Sequence, residues 1–239
     1  MSLRGKTILL AGLALPLVIY GLLQLSNART FQIFGRIISS VPTDDRVVAL
    51  TFDDGPSAAH TQEVLSILRE HEVKATFFVI GQEAAGNLQE AKRIVADGHE
   101  MGNHSFSHPR LIFKTPGSIR DEIERTDAVI RSAGFKDEIF FRPPYGKKLF
   151  ILPWYLARTG RTTITWEVEP ESHPEVASDA QKIADHVLDR VKPGSIVLLH
   201  VMYKNREESR KALPIIIDRL REQGYKFLSV SELLRRAKA

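Results

Sequence analysis

The sequence contains no cysteine. That excludes disulfides, thiolate metal sites and cysteine nucleophiles together, so any metal must be held by His, Asp or Glu. Internal repeats and low-complexity tracts are also missing, and no Gly-rich phosphate loop follows the first apolar run of the body, which weakens a nucleotide-binding reading. Acidic residues are absent from positions 1 to 36, where the only charges are Arg4, Lys6, Arg29 and Arg36. Setting those four aside from the 33 basic residues leaves a body whose positive charges equal its 29 negative ones. The net charge of +4 therefore gives no support to a polyanion-binding surface, and nucleic acid is not an expected partner.

What is present fits one sizeable globular domain with an appendage: 239 residues, 43% hydrophobic and 26% charged. The appendage is the stretch "TILLAGLALPLVIYGLLQL", in which Ile8 to Leu25 gives 18 residues without a charge, close to the roughly 20 that span a bilayer. Arg4 and Lys6 precede it, which favours a cytoplasmic start and export of the downstream chain. Residues 1–28 are thus expected to be a signal-anchor or a signal peptide, since Ser26 and Ala28 are spaced for cleavage after Ala28. The run is longer than a typical signal core, which favours the uncleaved anchor. Residues 29–45 read as a linker and 46–239 as the main domain, placed outside the cytoplasm either way.

Within the body, short apolar runs alternate with helical stretches. "VVALTF" (47–52), "ATFFVI" (75–80), "IFFRP" (139–143), "TTITWEV" (162–168), "SIVLLH" (195–200) and "YKFLSV" (225–230) read as strands covered on both faces, with a further short one around His99 to Asn103. Helices are expected over Thr61 to Glu70, Ser118 to Ala133, Ser178 to Val191 and Arg206 to Gln223, with Pro214 bending the last or marking its start. Gly98, Gly134 and Gly224 sit where helices should stop. Such alternation gives an α/β fold with a parallel sheet, which an open doubly wound sheet and a closed barrel both satisfy.

Reactive groups in these folds gather at the carboxyl ends of strands. Asp53 and Asp54 end the first strand, Arg142 ends "IFFR", Glu167, Glu169 and Glu171 follow "TITW", and His200 closes "SIVLLH". His104 and His108 lie four apart in "GNHSFSHPR". Two imidazoles and a strand-end carboxylate make a three-ligand set that leaves a zinc-like cation an open position. Asp53-Asp54-Gly55-Pro56 also reads as a simple turn, since all three residue types favour turns. A pair of adjacent aspartates does not ionise comfortably without compensation, and a cation on one leaves the other free to take a proton. Leu198 and His200, two apart on a strand, face the same way.

In this order and spacing, "TFDDGP" (51–56), "HSFSH" (104–108), "RPPYG" (142–146) and "IVLLH" (196–200) resemble the successive motifs of the NodB-type polysaccharide deacetylases, carbohydrate esterase family 4. The resemblance runs from about Arg46 to Leu234. It implies a deformed (β/α) barrel of seven to eight strands and a divalent metal, zinc with cobalt as the alternative, on Asp54, His104 and His108. It also implies Asp53 as general base, His200 as general acid and Arg142 pairing with Asp53. Tyr145 would offer its backbone N–H to the oxyanion from the turn that Pro143 begins, and Leu198 would wall the acetyl pocket. The implied substrate is an N-acetylated glycan: peptidoglycan, a chitin-like oligomer or an exopolysaccharide.

One region departs from the pattern. Similar proteins carry an Asp-Trp pair after the fifth strand, whereas this chain has "TWEVEPESHPE" (165–175). Glu169 or Glu171 could supply the carboxylate for His200, and Trp166 or His173 could replace the aromatic wall. Tyr203 and Lys204 are left open as groove residues and Arg206 is expected to be exposed. Two further readings stand beside the deacetylase: an O-acetyl esterase and a non-catalytic carbohydrate-binding domain.

Overall fold

A computed structural model describes residues 16–237. In chain order it contains helix α1 (residues 16–27), strands β1 (Ile37–Ile38) and β2 (Val47–Asp53), helix α2 (Thr61–Glu70), strand β3 (Thr76–Val79), helices α3 (Gly81–Gly86) and α4 (Leu88–Ala96), strand β4 (Glu100–Asn103) and helix α5 (Pro116–Ser132). Helix α6 (Ile151–Arg158), strand β5 (Thr163–Ile164), helices α7 (Pro174–Ala177) and α8 (Ala180–Arg190), strand β6 (Ser195–His200), helix α9 (Glu207–Glu222), strand β7 (Lys226–Phe227) and helix α10 (Val230–Leu234) complete the chain.

β2 is the centre of the sheet, and all seven of its residues are buried. It pairs with β6 from Val48–Ser195 to Asp53–His200, with β3 at its carboxyl end and with β7 at its amino end. β4 extends the sheet beyond β3, and every ladder is parallel. Because side chains alternate across a strand, Val48, Leu50 and Phe52 enter the large core beneath α2, α4, α8 and α9. Val47 and Ala49 face the other way, with Phe78, Ile196, Leu198 and Trp166. Thr51 and Asp53 continue that second face. Parallel strands put all their carboxyl ends on one rim, so Asp53, Asn103 and His200 end together.

The resemblance implies a closed barrel of seven to eight strands. Among the described residues the ladders instead form an open five-stranded sheet and a separate pair, β1 with β5. Single bridges, Asn103–Phe141, Phe141–Thr163 and Val168–Val197, link the edges. "IFFRP" contributes one bridged residue because Pro143 and Pro144 lack the N–H a longer ladder needs. "YKFLSV" is shorter than expected, since Ser229 caps α10 through a reciprocal pair with Glu232.

Helices follow their apolar periodicity closely. α2 has the expected limits, and α5, α8 and α9 agree within two residues at each end. Pro214 lies inside α9 and neither starts nor ends it.

Among the described residues no helix is long and apolar enough to cross a membrane. Residues 1–15, which include the first half of the expected membrane segment, lie outside the described residues. The end of the expected membrane segment and the span expected as a linker are both bonded to the domain. Lys148 N–H donates to Ser26 O (3.3 Å), and the Lys148 ammonium, 1% exposed, donates to Ala28 O. Thr165 Oγ1 donates to Arg29 O (2.6 Å), and Val41 N–H to Gly194 O (2.8 Å). Gly194 must lack a side chain: at φ 84° a Cβ would meet Val41 O at 1.8 Å.

Candidate active site

The end of β2 carries the two aspartates in opposite roles. Asp53 Oδ1 accepts from Arg142 (2.6 Å), whose same nitrogen also donates to Thr51 Oγ1 (2.9 Å). Arg142 is 0% exposed and donates further to the carbonyls of Thr165 (3.0 Å) and Ile164 (3.4 Å). Burial pushes the Asp53 carboxyl up, but Arg142, His104 and His200 outweigh it and hold the group below its ordinary value. Asp53 is therefore ionised near neutral pH.

Asp54 turns away at φ 74°, a strained conformation for a residue with a Cβ. Burial and the charge of Asp53 push its carboxyl up, against His200, His108 and Arg206. Its Oδ1 is buried without a hydrogen-bond partner, 3.6 Å from His108 Nε2 and 3.9 Å from His104 Nε2. The two Nε2 atoms lie 3.2 Å apart. His104 Nδ1 sits 2.7 Å from the Arg142 carbonyl, which can only accept; the proton is therefore on Nδ1 and Nε2 presents a lone pair. Burial holds both imidazoles down, His108 to about 4, so both are neutral near pH 7.

An orphaned carboxylate oxygen facing the Nε2 atoms of two neutral imidazoles fits a cation. Nitrogens each about 2.0–2.1 Å from a tetrahedral zinc stand about 3.3 Å apart, close to the distance found. The three ligand atoms all lie within 4.8 Å of one another. The loop that brings the histidines round is fixed from behind: Asn103 accepts from Ser105 N–H (2.9 Å), and Glu122 accepts from the N–H groups of Phe106 and Ser107 (both 2.8 Å). Ser105 and His108 themselves have positive φ.

His200 enters from β6, opposite Asp53 in register. Its Nδ1 lies 2.5 Å from Glu171, whose carboxylate also accepts from His200 N–H (2.9 and 3.1 Å) and from Ser209. The Glu171 side chain is 1% exposed. Burial opposes an imidazolium here, yet Glu171, with Asp53 and Asp54, holds His200 up at about 9. Of the two candidate carboxylates, Glu171 is the partner of His200. Glu169 lines the cleft and accepts from Ser172 instead.

The two aspartates, the three histidines and Glu169 line one cleft of about 390 Å³ with Leu198, Trp166, Tyr145, Tyr203 and Arg206. Tyr145 stacks on His108 with ring centroids 4.6 Å apart and has φ 58° in the turn closed by Gly146 N–H on Pro143 O (2.9 Å). Trp166, 8% exposed, lies under Arg29 (4.9 Å from Cζ to the ring centre). His173 is not part of this wall; it is exposed and packs on His186. Arg206, expected to be exposed, is half-buried and lines the cleft; Tyr203 lines it too and donates to Glu83 (2.7 Å), while Lys204 is exposed. Sequence reasoning missed Thr51, Ser209 and Arg29. Only Thr51 had a signal, standing two residues before Asp53 and therefore on its face.

The Arg29 contact is testable. With Trp154→Phe leaving Trp166 as the sole tryptophan, Arg29→Ala is expected to red-shift its emission and lower stability by about 0.5–1 kcal/mol, the worth of one cation–π pair. An unchanged spectrum would mean that the stacking is not maintained in solution.

Comparison with known proteins agrees with this geometry. A sequence profile described as polysaccharide deacetylase matches residues 40–164. The chain is 34% identical over 205 residues to a peptidoglycan-N-acetylglucosamine deacetylase of Bacillus cereus, covering 84% of this chain and 94% of that one. It is 35% identical over 194 residues to the peptidoglycan-N-acetylmuramic acid deacetylase PdaA of Bacillus subtilis, covering 80% and 73%. A crystal structure of a peptidoglycan N-acetylglucosamine deacetylase in complex with 4-naphthalen-1-yl-N-oxidanyl-benzamide superposes with a TM-score of 0.77 at 34% identity, over 84% of this chain and 93% of that one. With a strand-end aspartate pair, an HxxxH loop and a glutamate-held histidine meeting in one cleft, the chain belongs to the polysaccharide deacetylase family.

Proposed function

We propose that this protein is a divalent-metal-dependent hydrolase that removes N-acetyl groups from an amino-sugar polysaccharide outside the cytoplasm, tethered through its N-terminal segment. The tether and the location rest on the uncharged run from Ile8 to Leu25 behind Arg4 and Lys6. The observation that carries the chemistry is the buried, unpartnered Oδ1 of Asp54 facing the Nε2 atoms of His104 and His108. A cation bound there, zinc by its donor set and cobalt as the alternative, polarises the amide carbonyl and makes water acidic enough to ionise near neutral pH.

The protein's own groups do the rest. Asp53, kept ionised by Arg142, accepts the proton of the attacking water. The backbone N–H of Tyr145 donates to the oxygen on which negative charge develops. His200 gives its proton to the sugar nitrogen as the C–N bond breaks, so acetate and a free amine leave. Leu198 and Trp166 wall the methyl group. An amine cannot depart as an anion, so a histidine held at about 9 favours amide over ester hydrolysis.

The test is metal loading joined to product analysis. Dialysed protein should bind one zinc per chain by calorimetry, and Asp54→Asn or His104→Gln should abolish that binding. Zinc should restore acetate and free-amine release from N-acetylated glycans. Full turnover by metal-free protein, or acetate without amine, would overturn the assignment.

A further inference from the structure

The reaction uses one guanidinium, that of Arg142, yet three others stand round the same cleft. Arg206 lines it, Arg110 lies over Tyr145 (4.8 Å) and Arg29 over Trp166 (4.9 Å). Among the described residues, half-buried and buried arginines elsewhere are paired: Arg161 with Asp127 and Arg210 with Glu63 (3.0 Å). Arg206 differs: its guanidinium reaches no carboxylate within ion-pair distance among the described residues, and its Nε, like that of Arg161, is buried with no hydrogen-bond partner. A desolvated donor left open is costly, and the cost is relieved when an acceptor arrives.

We propose that Arg206, assisted from the Tyr145 side of the cleft by Arg110, reads a carboxylate carried by the glycan, so that the preferred substrate is an acidic N-acetylated polymer. The proposal rests on the deacetylase reading above. The guanidinium fork matches a carboxylate with two parallel bonds, and a charged acceptor strengthens them roughly twofold over a hydroxyl. The nearby acidic groups do not supply that acceptor. Asp53 is held by Arg142, Glu171 by His200 and Ser209, and Asp54 faces the histidines. The carboxylate has two sources in glycans, the lactyl ether of a muramyl unit or a uronate ring, and the fork fits both.

The experiment compares kcat/KM for acetate release from three oligomers of equal length: a neutral N-acetylglucosamine oligomer, a muramyl-containing one and a uronate-containing one. Wild-type protein should prefer one of the acidic substrates, and which one identifies the source. Arg206→Gln should shrink that preference about tenfold, chiefly in KM, and Arg206→Lys should shrink it less because charge remains without the fork. Converting the substrate carboxylate to a methyl amide should erase the preference in the wild type. If Arg206→Gln slows acidic and neutral substrates by one common factor, Arg206 acts on Asp54 rather than on substrate and the proposal fails. It fails equally if the wild type shows no preference. Calorimetric Kd values for the same oligomers give the same ratio without turnover. A protein that binds acidic oligomers through Arg206 but releases no acetate would sink the deacetylase reading and leave the carboxylate site standing.

Discussion

Asp53→Asn should bind zinc normally and lose about a thousandfold in kcat, within the 10²- to 10⁴-fold range typical of a positioned general base. Asparagine keeps the shape and can still accept from Arg142, but it cannot take the water proton. The substitution also removes the negative charge beside a cation that is 0% exposed. Breaking a buried pair costs about 3–5 kcal/mol, and the low end applies because Thr51, Ile164 and Thr165 still bond the guanidinium. The pH dependence has a definite sign. Asp53 lies below its ordinary value of 3.8 when folded, so its stabilisation is present above that pH and is lost as pH falls through the folded value. Thermal midpoints of wild type and variant should therefore differ at pH 7 and converge in strong acid. Turnover near the wild-type rate would show that another group takes the proton.

The second large effect is expected at His200. His200→Gln should lower kcat about 10²- to 10³-fold, since the leaving amine loses its acid. Glu171→Gln is the more telling variant. Glu171 and the two aspartates hold His200 at about 9 against an ordinary 6.5. With Glu171 neutral, burial pulls the imidazolium down, and the alkaline limb of the kcat–pH profile should move from near 9 towards or below 6.5. Stability follows the same group: the contribution of the His200–Glu171 pair is complete below 6.5 and is lost as pH rises through about 9. An alkaline limb that stays put in Glu171→Gln would remove His200 from the role of acid.

Much of this site was legible because its residues are tied to short-range features. Asp53 and His200 close apolar runs that parallel strands must end on one rim, and period-two alternation already put Leu198 beside His200. The choice between Glu169 and Glu171 was not legible. Both follow the same strand, and only the fold that brings Ser209 and the His200 N–H against one of them decides. The exposure assigned to Arg206 failed for a related reason: a charged residue before a helix usually faces water, and here the loop after β6 turns it into the cleft. The closed barrel failed at "IFFRP", where Pro143 and the Pro144 that follows stop a ladder that apolar content alone had promised.

The order of motifs, the absence of thiols, the helix faces and the parallel sheet came from the amino-acid sequence alone, because periodicity, residue chemistry and spacing are local properties. Tertiary structure alone decided which carboxylate holds His200, that Thr51 and two strand-edge carbonyls anchor Arg142, that Ser26 to Val41 is bonded to the domain, and that Arg206 lines the cleft. Those depend on contacts between residues far apart in sequence, 136 positions in the case of Thr165 on Arg29. Local pattern carries no record of such approaches; packing the sheet edges and their loops into one rim creates them.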